Sequence, residues 1–371
     1  MDVVVNISNT LAAVRRKDMG RTLILTSTPA ADGRPKDTMK IFTSLTDLAA
    51  EWDENTNAYK AAQSLFAQSP RVQDVAVLDV ARDAAAPVAT ELSAALNALL
   101  AGGGIGTDWY FLINADREQA AGDRDELSNW VSAHERMFIA SNFAGETVAD
   151  IAAAAQLYVD NRTVMIVHSD AGGEDDQYLD AALAGRVGAK YPGSVNWRHL
   201  MLNAVSVPSY TSTERATLED ANVMTYWKNP VGLLTTTGGM ATSGFWADLT
   251  RAIDYLTASI RERIWDALSQ KDKIPYDDTG IQYLASLVIQ ALEIATGDPY
   301  YIVAQDLDGN GLYQVRPPRR IDIDPLDVKN RILSNLPFVA TVAGAINKVT
   351  VNGILTEEYI EPMTGEYTYT S

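Results

Sequence analysis

Residues 108–114 read DWYFLIN, an apolar run in which no polar residue falls at alternate positions between Trp109 and Ile113. Side chains of a strand point alternately to opposite faces, so a run that is apolar on both must be covered on both. Similar short runs lie on either side: TLILTS (22–27) and VQDVAVLDV (72–80) before it, RMFIAS (136–141) and RTVMIVHS (162–169) after it. The stretches between them carry helical spacing. Tyr59, Ala62, Leu65 and Phe66 share one face near 58–68, and 88–101, 123–135 and 152–158 follow the same period. Thr147 and Asp150 stand at capping-box spacing before the last of these. Doubly covered strands alternating with helices predict an α/β fold with a mostly parallel sheet over residues 20–210.

From residue 211 the pattern changes. Leu249, Ile253, Leu256, Ile260, Ile264 and Leu268 form one apolar stripe along a long helix that starts after Gly244. Its reverse face carries Arg251, Asp254, Glu262 and Trp265, and an aromatic on that face either packs under another element or marks an interface. A second helix follows Asp277, with Ile281, Leu284, Val288 and Leu292 on one side. YYIVAQ (300–305), the turn DLDGNG and LYQV (312–315) then predict a hairpin. Asp324 and Pro325 are suited to be the N-cap and first residue of a short helix. This half reads as α+β.

Both ends of the chain read as strands. DVVVNIS (2–8) places Val3, Val5 and Ile7 on one side, and NKVTVNG (347–353) alternates Val349 and Val351 with polar residues. GEYTYTS (365–371) alternates Tyr367 and Tyr369 with threonine. A strand without a partner in its own chain exposes a row of backbone donors and acceptors that another copy can complete. The expected organisation is an arm at 1–19, an outer α/β domain at 20–210, an inner α+β domain at 211–345 and a second arm at 346–371.

Composition narrows the chemistry. The net charge of −18 opposes nucleic-acid binding, which needs Lys and Arg against phosphate. It also makes identical copies repel, so self-association needs local basic patches. Arg316, Arg319, Arg320, Lys329 and Arg331 supply one such concentration. There is no cysteine, hence no thiolate ligand or thiol nucleophile. No apolar run approaches the ~20 residues that span a bilayer, and no direct membrane insertion is expected.

The remaining motifs are weak. AGGGIGTDW (101–109) leaves a helix and enters a strand, the reverse of a phosphate loop. DLDGNG places Asp306, Asp308 and Asn310 alternately, but Pro317 stands where a calcium loop needs glutamate. Glu174, Asp175, Asp176 and Asp180 form an acidic cluster expected to open a helix in solvent. His168, Ser169 and Asp170 end a strand at the edge where open α/β sheets bind ligands. An enzyme site near His168 and Asp170 is therefore the alternative reading; no cofactor and no metal is expected.

Several segments in order resemble contractile tail sheath proteins of bacteriophages and related injection machines. They are NAYKAAQSLFAQSPRVQDVAVLDV (57–80), residues 218–268 from LEDANV to IWDAL, KIPYDDTGI (273–281) and VAGAINKVTVNGIL (342–355). The resemblance spans nearly the whole chain and implies a structural subunit, not an enzyme. It implies that the arms, through Val3, Val5, Ile7, Val349, Val351, Tyr367 and Tyr369, add strands to a small sheet on neighbouring subunits. The inner domain would face a tail tube, with Arg251, Trp265, Arg319, Arg320, Lys329 and Arg331 as candidate contacts to tube or subunit. Implied partners are other copies in a helical homopolymer, the tail tube protein, a baseplate and a tail terminator. The implied setting is a virion tail assembled in the host bacterial cytoplasm. The chain looks like a compact version that lacks the extra outer domains of the largest members.

Overall fold

A computed structural model describes residues 19–28, 33–82, 90–117, 121–173 and 176–350. In the first half strands and helices alternate: β1 (Thr22–Thr28), β2 (Lys40–Phe42), α1 (Leu45–Ala49), α2 (Asn57–Phe66), β3 (Val75–Ala81), α3 (Glu91–Gly102), β4 (Phe111–Asn114), α4 (Ala121–Ser132), β5 (Met137–Ala140), α5 (Val148–Leu157), β6 (Thr163–Met165) and α6 (Leu179–Gly188). The second half holds α7 (Ser212–Asp220), β7 (Tyr226–Lys228), β8 (Leu234–Thr236), α8 (Ala247–Gln270), α9 (Asp278–Ile294), β9 (Tyr313–Val315), α10 (Pro325–Asn330) and β10 (Phe338–Ala340).

The main sheet runs β2-β3-β1-β4-β5-β6. β1 lies parallel to both β3 and β4, and β5 and β6 continue in the same direction. Only β2, at the edge, is antiparallel. Neighbouring residues of β1 face opposite cores, as the doubly apolar runs require. Ile24 joins Val77, Ile113 and the inward faces of α2 and α6, whereas Leu23 and Leu25 join Leu78, Leu112 and residues of α3, α4 and α5. Helices thus cover both sides. Gly185 permits a close approach within the first layer, because a Cβ there would collide with the carbonyl of Leu65 in α2.

The caps form as their spacing requires. Thr147 and Asp150 bond reciprocally before α5, and Asp324 accepts from the Leu326 N–H with Pro325 opening α10. The hairpin expected from 300–315 is reduced. Gln305 and Gly311 make a single bridge around the turn, and β9 pairs instead with β10, Val339 opposite Gln314. The turn is tied by Asp306, which accepts from the N–H groups of Asp308 and Asn310. β10 lies beyond α10 and has only three residues, too few for periodicity to single it out.

A larger correction concerns α8. The N-terminal part of its supposed polar face, with Arg251 and Asp254, is buried, whereas Glu262 is half-buried and Trp265 exposed. Arg162 makes a bidentate pair with Asp254 at 2.6 and 2.8 Å, and the Tyr110 hydroxyl donates to the same carboxylate at 2.8 Å. Arg261 pairs with Glu135. Arg251, 2% exposed, donates to the carbonyls of Met19, Val187 and Lys190. Arg251 is therefore not a surface contact for a tube or another subunit. The partners explain the placement: Met19, Tyr110, Glu135 and Arg162 all stand just before β1, β4, β5 and β6, so α8 is fastened beneath the N-terminal ends of the parallel strands. One apolar cluster consequently contains Ile24 of β1 together with Leu256 of α8 and Leu292 of α9, and it is continuous across residue 210.

Removing one member of a buried ion pair leaves the other charge without compensation, at a cost of about 3–5 kcal/mol. Urea unfolding should show a loss of that size for Asp254→Ala or Arg162→Ala. The double replacement Arg162→Met/Asp254→Leu should lie closer to the parent than either single variant.

Candidate functional site

In an open parallel sheet the ligand edge is the C-terminal one, at the point where strand order reverses. Here that point lies between β1 and β4, and the chain fills it with its own side chains. Asp116 accepts from the Ser27 N–H at 2.7 Å, the Thr26 hydroxyl at 3.0 Å and the Asn57 amide at 3.2 Å. Burial holds its carboxyl above the usual range despite these donors. Next to it Arg117 pairs with Asp176 and Asp180 at 2.9 and 2.6 Å and lies over the Tyr178 ring. Asp176 and Asp180, expected in solvent, are buried because Arg117 compensates them; Glu174 and Asp175 lie outside the described residues. Between Asn114, Asp116, Arg117 and Ser141 remains a space of about 10 Å³, room for roughly one water.

His168 ends the extension of β6 and is likewise committed. Its Nδ1 accepts from the Asp170 N–H at 3.1 Å, so Nε2 carries the proton and donates to the Ser206 hydroxyl at 3.1 Å. Its own N–H donates to Asn142. The ring holds the 168–170 turn against 206. Among the described residues no cluster of His, Asp or Glu could hold a metal ion, and no helix is long and apolar enough to cross a membrane.

The opposite end of the molecule is open where the ligand edge is closed. β9 and β10 form a two-stranded sheet, an arrangement only marginally stable in water. Ile321, Leu326, Ile332, Val339 and Ile346 are exposed around it. The segment after Val342 carries no strand pairing up to residue 350, and Val349 is 73% exposed. Val3, Val5, Ile7, Val351, Tyr367 and Tyr369 fall outside the described residues. The expected basic concentration is present but partly used: Arg319 pairs with Asp322 at 2.9 Å, and the Arg320 guanidinium lies 5.7 Å over the Tyr276 ring. Lys329 and Arg331 are exposed on α10 and at its end. Trp265 lies on the outer side of α8, 36% exposed. Two further exposed groups had no marker beyond single apolar letters: Val231 and Leu233 at the tip between β7 and β8.

No protein-family model matches this chain, and no curated protein matches it. Solved structures do. A chain of the anti-feeding prophage (AFP) baseplate is similar with a TM-score of 0.65 and 13% identity, over 97% of this chain and 98% of that one. A chain of the AFP helical sheath in its contracted state gives 0.63 and 13%, over 95% and 96%. A chain of the PVC sheath complex, an extracellular contractile injection system in its contracted state, gives 0.65 and 11%, over 96% and 97%. The chain therefore shares, nearly from end to end, the fold of subunits found in contractile injection systems.

The Asp116 site makes a pH-dependent prediction. A carboxyl whose folded pKa is raised contributes stability that is fully present below its unfolded pKa and is lost as pH rises through the folded value. Comparing wild type with Asp116→Asn by urea unfolding at pH 7 and pH 5, the wild type should gain relative to the variant at the lower pH.

Proposed function

We propose that this chain is the subunit of a contractile tail sheath, polymerising helically around a tail tube and driving that tube through a bacterial envelope on contraction. The observation that carries the reading is the near-complete coverage of contracted sheath subunits by a fold whose ligand edge is filled and whose small sheet is open. Residues 20–210 form the outward body and 211–345 face the tube. Val3, Val5 and Ile7 from one end, and Val349, Val351, Tyr367 and Tyr369 from the other, add strands to the β9–β10 sheet of adjoining copies. The tube protein, a baseplate and a terminator are the further partners, and the assembled particle belongs to a phage tail or a related injection device put together in the producing cell.

The physics of such an assembly is consistent with the residues at hand. A heterologous contact that does not close on itself yields an open helix. Each added main-chain hydrogen bond contributes only ~0.5–1.5 kcal/mol net, so the strength of the mesh lies in repetition. The −18 charge keeps dilute subunits apart, and exposed cations such as Lys329 and Arg331 meet the acidic surface of the next copy. Contraction is then a collective re-docking of rigid bodies while the paired arms remain joined, and it consumes no nucleotide.

Deleting residues 1–8 should leave a folded protein that forms no long cylinders by negative-stain microscopy; normal polymers from the deletion would refute the arm assignment. Lys329→Glu/Arg331→Glu should weaken assembly at low salt, read by sedimentation, and leave the unfolding midpoint unchanged.

A further inference from the structure

Beneath the N-terminal ends of β1 and β3 lies an open groove of about 900 Å³. Val72 and Gln73 form one wall, residues 188–192 another, and Arg251 with its ring of carbonyls lies in the floor. Tyr191, Tyr300 and Tyr255 make a continuous aromatic wall, with ring centroids 5.1 and 4.7 Å apart. Tyr191 is 55% exposed, which leaves apolar surface for an occupant to cover. Arg21, Arg71, Lys190 and Arg251 line the groove together with Asp74 and Glu262. Arg21 pairs with Asp74 at 2.6 Å and Arg251 is held by carbonyls, which leaves Arg71 and Lys190 as the cations an occupant can meet. The Arg71 guanidinium lies over Phe66 and donates to the Thr43 carbonyl. Lys190 uses its backbone carbonyl for Arg251. Among the described residues neither side chain is paired with a carboxylate.

We propose that the C-terminal segment of the same chain, residues 351–371, docks in this groove while the subunit is unassembled. The inference rests on the arm reading above and adds where one arm is held before it is donated. Met19 and Gly20 also line the groove, but residues 1–18 carry Arg15, Arg16 and Lys17, which a groove edged by Arg71 and Lys190 disfavours. Two observations select the C-terminal segment. The described chain reaches its end nearby: the Asn196 amide donates to Asn347 at 2.6 Å, four residues beyond Pro192 of the groove wall. A 21-residue segment that starts there spans up to ~70 Å when extended, far more than the distance needed. Charge is the second. Residues 351–371 contain Glu357, Glu358, Glu361 and Glu366 and no Lys or Arg, which suits Arg71 and Lys190. Ile354, Leu355, Tyr359 and Ile360 are interleaved with these acids and are of the kind a tyrosine wall accepts.

The contact has a physical use. An unpaired strand-forming segment is a template for indiscriminate pairing. Held in its own groove by weak, salt-screened rim pairs, it is released only when the open sheet of an adjoining copy offers a full row of backbone bonds.

The absence of cysteine makes disulfide trapping clean. In the full-length, dilute, unpolymerised protein, Gln73→Cys is combined in turn with Ile354→Cys, Tyr359→Cys or Tyr367→Cys. At least one pair should close within a single chain. Reversal of the rim by Arg71→Glu/Lys190→Glu should slow that closure about fivefold, with circular dichroism reporting an intact fold. Absence of any intrachain link, links formed only between chains, or a rate indifferent to charge reversal would overturn the proposal. Failure of the sheath reading is seen separately, as the absence of cylinders from unmodified protein.

Discussion

The fastening of α8 to the sheet determines how the two halves of the chain relate. Arg162, Asp254 and Tyr110 form one buried group, and Arg261 with Glu135 another. Arg251 is held by carbonyls and, among the described residues, pairs with no carboxylate; burial lowers its pKa to about 10, still protonated at neutral pH. Taking such charges out of water costs several kcal/mol per ion, and good geometry recovers it only in part. A purely apolar contact would tolerate sliding along the helix; charges that must meet fixed partners at the starts of β1, β4, β5 and β6 do not. The arrangement trades some stability for a single docking position of α8 against the sheet.

The large sheet and the small β9–β10 sheet are treated in opposite ways. A doubly wound sheet usually leaves its C-terminal edge available to ligands. Here Asp116, bonded by Ser27, Thr26 and Asn57, and Arg117, paired with Asp176 and Asp180 over the Tyr178 ring, fill that edge. Backbone pairing capacity is instead left at the far end of the molecule, around β9 and β10 and in the stretch leading to residue 350. The described residues thus combine a closed core with a rim whose backbone groups are open to pairing.

Much of this was legible in the residues. Runs apolar on both faces, such as 109–113, have one low-energy environment, between two helical layers. Asp324–Pro325 and Thr147–Asp150 act within one turn of chain, so local chemistry alone settles where those helices begin. The resemblance carried by ordered segments from 57 to 355 led to the same fold that the injection-system subunits display, although at 11–13% identity no single motif identifies it.

Sequence by itself therefore determined the alternation of strand and helix, the helix starts, the want of a thiol and the acidic balance, because each depends on neighbours within a few residues or on composition. Only the tertiary structure decided the burial of Arg251 and Asp254, the pairing of β9 with β10 beyond the short 304–312 hairpin, and the closure of the ligand edge by Arg117. A charged residue on a helix reads as solvated unless its counter-charge is known. For Asp254 that counter-charge is Arg162, 92 positions away, and no local pattern encodes a meeting at that separation.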